Sequence, residues 1–197
     1  MQANDFELEA HAPFSLNYLV FLQNIFLNQD RKAENRLLHP YLDSSKWGLL
    51  PGEEFITNFK AVWKETLQKN SDRRLDHYGI IHDQQLLFER LFVQNEEGHH
   101  GFTESSAAFL AWWDSMAGRI AVERVFDADM MQKVYQELVL SLTTNPKNNR
   151  LVIDLLYDRP VLTDQCMGTW YIALPIEDLF IKDRRNHAME LMRASCL

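Results

Sequence analysis

A chain of 197 residues with 46% apolar and 12% aromatic side chains can bury a core without disulfide staples, which excludes a disordered or disulfide-framework protein. Its net charge of −8, from 20 basic and 28 acidic residues, disfavours a phosphate backbone as partner, and the short basic runs Arg73-Arg74 and Lys182–Arg185 read as solvated helix ends. Only seven glycines and six prolines punctuate the chain, so long helices are expected rather than many short strands.

Residues 1–13 show no sustained period and read as an N-terminal arm that packs irregularly or forms a short strand. The first basic residue is Arg31, so no secretory leader is expected. The most apolar window, Phe14 to Leu27, holds Ser15, Asn17, Gln23 and Asn24 and is too short to span a bilayer. Cys166 and Cys196 suit a reducing compartment. The expected location is therefore the cytoplasm, with neither membrane nor nucleic acid as partner.

From Ser15 to Gln29 the apolar residues recur at helical spacing on more than one side, which predicts a helix inside the domain. A short helix fits 32–38, stopped by Pro40. Pro51, Glu53 and Glu54 mark the start of another helix, whose buried face is Phe55, Phe59, Val62, Trp63 and Leu67. Two long runs, roughly 75–94 and 103–126, then predict an antiparallel helical hairpin joined by a turn at Asn95–Phe102. Asp127 caps a further helix with Met131, Val134, Tyr135, Leu138 and Leu142 on one face, ending at Asn145-Pro146. Arg150–Tyr157 and Thr169–Leu174 suggest a small β-hairpin, and Ile176–Ala194 a last helix broken near Lys182–Asn186. The expected fold is a mainly α single-domain bundle of five or six helices, with the β-hairpin and final helix forming a C-terminal subregion over 150–197.

Chemistry is concentrated in the Glu96–Gly101 turn. Its Glu-x-x-His spacings would aim a carboxylate and an imidazole at one point on a helix, the device of carboxylate-bridged metal bundles. Gly98 and Gly101 interrupt the pattern, and a solvated turn is the plainer reading. The sharper one has Glu97, His99 and His100 holding a divalent transition metal or moving protons, with His11, His39 or His187 completing the set. His77 and His82 are five apart and cannot share an ion on a regular helix. Cys166 has no histidine nearby in sequence and reads as structural. Trp112 and Trp113 are about 100° apart on a helix; unless both sides are covered, one of them marks a ligand or partner surface.

No phosphate-binding loop, nucleophile elbow or dinucleotide fingerprint is present. Two functions are therefore expected. One is a soluble, non-catalytic interaction or regulatory protein that binds a protein partner or small ligand through a helical face and can self-associate. The other is a metal- or histidine-dependent enzyme centred on Glu96–Gly101.

Overall fold

The N-terminal arm becomes the edge of a sheet. In the computed structural model, which describes residues 6–29, 38–42, 45–72, 85–141 and 150–196, Glu7–His11 forms β1. It runs parallel to β2 (Arg150–Leu156), with Glu7 opposite Arg150 and His11 opposite Asp154. β2 runs parallel in turn to β4 (Tyr171–Pro175), and β3 (Met167–Gly168) closes the far edge antiparallel to β4. The strand order is β1-β2-β4-β3.

This corrects the expected fold. The described residues form an α/β arrangement of eight α-helices and a four-stranded mixed sheet, not a bundle of five or six helices. The expected hairpin is also wrong, because Arg150–Leu156 and Tyr171–Pro175 are parallel neighbours. Only the two-residue β3 makes the antiparallel return. β2 carries Leu151, Ile153, Leu155 and Leu156 all buried, so its apolar residues do not simply alternate with polar ones. A strand covered on both faces loses that alternation and resembles a stretch of buried helix.

The helices agree more closely. α1 (Phe14–Gln29) is buried continuously from Phe14 to Phe26. Phe109 packs against Phe14, Phe21 and Trp113, with ring centroids 4.8, 5.2 and 5.2 Å away. α2 (Gly52–Ser71) has Pro51 as its N-cap residue, Glu53 and Glu54 in its first turn, and buries Phe55, Phe59, Val62, Trp63 and Leu67. Asp127 caps α6 (Ala128–Ser141) by accepting from the Met130 amide at 2.9 Å. The last helical stretch divides at Ile181 into α7 (Glu177–Phe180) and α8 (Lys182–Ser195).

The central pair of rods is redrawn. Residues 73–84 lie outside the described residues, as do 30–37 and 142–149. From Gln85 the chain makes one turn of helix, α3 (Gln85–Phe88), then a 3-10 turn at Glu89–Leu91, and is extended at Phe92. The second rod starts earlier and stops sooner than expected: α4 is Glu96–Trp113, succeeded by α5 (Arg119–Val125). Gly118 makes the break. A Cβ there would lie 2.4 Å from the Trp112 carbonyl oxygen, so only glycine lets the chain turn back this close to the end of α4.

Buried amides on α1 tie the sheet to the helices. Asn17 donates to the carbonyls of Pro13 and Leu155 at 2.7 and 2.9 Å and accepts from the Tyr157 amide at 2.9 Å. Gln23 accepts from the amides of Val161 and Leu162, and Asn24 donates to the His39 carbonyl and to Asp158. The polar groups within an otherwise apolar helix thereby satisfy the irregular backbone that succeeds β2. No helix among the described residues is long and apolar enough to cross a membrane.

Candidate functional site

Backbone packing at the start of α4 builds a cleft. Leu49 and Phe92 form an antiparallel bridge, flanked by Leu50 N–H to Leu91 O at 3.0 Å and Val93 N–H to Gly48 O at 2.7 Å. α4 is laid on this bridge. A Cβ on Gly98 would sit 1.9 Å from the Val93 carbonyl oxygen, and one on Gly101 would sit 1.7 Å from that of Trp47. Asn95 caps the helix by accepting from the Gly98 amide at 3.0 Å. Gly48 adopts φ +56°, a left-handed conformation that favours glycine.

Above this floor lies a cleft of about 900 Å³. Ile25 of α1 forms one side, Leu49, Pro51 and Val93 another, and Tyr41 and Leu42 stand at the mouth. Tyr41 is 64% and Leu42 44% exposed, although both are large and apolar. Glu97, on the first turn of α4, also lines the cleft and makes no hydrogen bond or ion pair among the described residues.

The three residues expected to share a metal face different surroundings. Glu97 lines the cleft. His99 Nδ1 is 3.0 Å from Glu89 Oε1, beside a separate hollow of about 280 Å³. His100 Nε2 is 3.1 Å from Glu104 Oε1, one helical turn on, while Glu104 Oε2 accepts from Trp47 Nε1 at 3.1 Å. His11 pairs with Glu9 at 2.8 Å, His39 packs on Trp112 at 4.8 Å, and His187 is 3.8 Å from Glu190. Among the described residues, no group of three or more His, Cys, Asp or Glu side chains is placed to hold a metal ion. His77 and His82 fall outside those residues. The expected turn is itself a capped helix start, because the glycines taken as breaks are contact points with neighbouring backbone.

The paired tryptophans divide. Trp113 is 2% exposed and stacks on Phe109, whereas Trp112 is half-buried with Tyr157 4.8 Å away. Tyr41 packs edge-on to His39 at 6.3 Å, so the aromatic cluster around Trp112 adjoins the cleft mouth. Burial lowers the His39 imidazole below its ordinary pKa, and Asp158 partly offsets this. Burial, with the nearby Asp158 carboxylate, pushes the Tyr157 phenol well above its usual value.

A second polar centre is not apparent from the sequence pattern. Asp154 of β2 is 4% exposed and accepts hydrogen bonds from Tyr171 Oη and, at 3.0 Å, from Asn70 Nδ2. Asn70 Nδ2 also donates to Ser15 Oγ at 3.2 Å. Burial pushes the Asp154 carboxyl up to about 6, while the bonds from Tyr171 and Asn70 and the charge of His11 pull it back. The one available signal was an aspartate inside the apolar run 151–156. Cys166 is not an activated thiol, since burial and the carboxylates of Asp164 and Asp178 raise its pKa.

The fold and site define an α/β protein with a cleft at the start of one helix, lined by apolar side chains on one hand and by Asn28, Gln29, Ser45, Asn95 and Glu97 on the other. No family model, no curated protein and no solved structure matches the chain.

Proposed function

We propose that this chain is a non-catalytic binding protein, and that the cleft between α1 and the start of α4 takes a small molecule with both an apolar part and polar groups. The observation that carries the reading is Tyr41 and Leu42 held exposed at the mouth of a cleft of about 900 Å³. That volume suits a small organic ligand, and apolar side chains such as Ile25, Leu49 and Val93 beside the polar Asn28, Asn95 and Glu97 offer both an apolar contact and orienting hydrogen bonds. Apolar side chains left in water at a preformed concavity gain free energy when a ligand covers them. Glu97, with no partner among the described residues, supplies one polar contact. The proton-transfer alternative is weaker, because His99 already faces Glu89 and His100 faces Glu104.

The test uses Nile red, a neutral apolar dye whose emission rises when water is excluded. Wild-type protein should bind it saturably at one site. Leu42→Asp, which puts a carboxylate on the wall, should weaken binding about ten-fold or more. Leu140→Asp, at an 87% exposed position on α6, should leave it unchanged. Non-saturable dye uptake, or equal binding by Leu42→Asp, would refute the reading.

A further inference from the structure

Among the described residues, the charge that lines the cleft between α1 and the start of α4 is negative. Glu97 is an exposed carboxylate with no hydrogen bond or ion pair among those residues, and no lysine, arginine or histidine of theirs joins it in the lining. The other polar lining side chains, those of Asn28, Gln29, Ser45 and Asn95, are uncharged. Neighbouring carboxylates are already engaged: Glu89 meets His99 and Gln85, and Glu104 meets His100 and the Trp47 indole. Glu97 faces the open space of the cleft instead.

A helix start carries about half a positive charge on its free amides and alone would favour an anion. The two first-turn carboxylates of α4, Glu96 and Glu97, outweigh it, and Asn95 takes up the Gly98 amide at 3.0 Å. The net charge of −8 adds to the same sign. An anionic ligand would therefore meet repulsion. A neutral hydroxyl would give Glu97 one uncharged hydrogen bond, whereas an ammonium brings several donors and the opposite charge. Tyr41, 64% exposed at the mouth, adds an aromatic ring, and the face of such a ring attracts a cation.

We propose that the ligand of this cleft is an organic cation, an amine protonated at neutral pH and carried on an apolar body. The ammonium would pair with Glu97, and the apolar body would lie against Ile25, Leu49 and Val93. This rests on the reading of the cleft as a small-molecule site and adds the sign of the ligand's charge.

The test uses three probes of similar shape that differ in their head group: phenylbutylamine, phenylbutanol and phenylbutyrate. Calorimetric titration of the full chain at neutral pH reads their affinities, and Nile red saturation reads the cleft independently of charge. The amine should bind about five-fold or more tighter than the alcohol, and phenylbutyrate should bind weakest. Added salt should weaken the amine and leave the alcohol unchanged. Glu97→Gln, a change at an exposed side chain, should bring the amine down to the alcohol's affinity while the alcohol and Nile red bind as before. Glu96→Gln removes the same charge from a neighbouring position that does not line the cleft, and should keep the preference. Saturable dye binding with equal affinity for amine and alcohol, or with tighter binding of phenylbutyrate, would overturn the proposal and leave the cleft reading standing. A preference that survives Glu97→Gln, or falls as far in Glu96→Gln, would also overturn it, because the charge would then be felt from the surface at large. Failure of the dye and of every probe to bind would refute the cleft reading, and this inference with it.

Discussion

Replacing Asp154 by Asn tests the buried centre of the sheet through its pH dependence. The carboxyl titrates near 3.8 in an unstructured chain and at about 6 in the fold, with burial as the main cause. The folded state therefore binds this proton more tightly than the unfolded chain. The stability it contributes is complete below about pH 3.8 and is lost as pH rises through 6. A difference of about two units at about 1.4 kcal/mol per unit makes the loss about 3 kcal/mol, of which about 2 kcal/mol falls between pH 4.5 and 7.5. Asparagine retains an oxygen for Tyr171 and Asn70 but cannot ionise. Urea unfolding at both pH values should thus show the stability of Asp154→Asn, relative to wild type, improving by about 2 kcal/mol on going to the higher pH. Comparing differences cancels any fixed cost of the amide. The charge of His11, opposite Asp154 on β1, also acts on this carboxyl, so the pair should be compared again in a His11→Gln background. A relative stability that is flat with pH, or that falls, would refute the assigned environment.

At Gly98 and Gly101 alanine would place a methyl carbon 1.9 and 1.7 Å from carbonyl oxygens, so each variant should lose about 3 kcal/mol or more, read by urea unfolding. Gly52→Ala should cost only about 1 kcal/mol, because its φ is +46° but nothing lies within 4 Å of the added atom. Asn24→Ala removes the donor that serves the His39 carbonyl and Asp158. It should cost about 1–3 kcal/mol and raise hydrogen exchange in residues 157–162. Cys166 should react with a disulfide reagent at pH 8 more slowly than free cysteine, and its rate should keep rising at higher pH, since burial and Asp164 hold its pKa up.

Legibility along this chain depended on whether one residue's job could be read from its near neighbours. α1 was readable because thirteen consecutive buried positions from Phe14 to Phe26 force an all-round apolar pattern that little else explains. β2 was not, for the same physical reason applied to a strand: with both faces covered, Leu151–Leu156 has lost its alternation, and its parallel partners lie far away in sequence or beyond a loop. Gly98 and Gly101 misled in the opposite direction. A glycine in an otherwise polar hexapeptide looks like a break, yet here both sit inside α4 because the Val93 and Trp47 carbonyls leave no space for a side chain. The local signal for the true helix start was present in Asn95, an N-cap residue ahead of two glutamates. Read as a cap, it leaves Glu97 and His100 three apart on one side of a helix and turns His99 about 100° away from His100, where it meets Glu89, while His100 pairs with Glu104 one turn on. The expected metal ligands are thus drawn to separate carboxylates, His99 to Glu89 and His100 to Glu104, and the cleft that Glu97 lines stems from the two glycines that let the helix lie down on its floor.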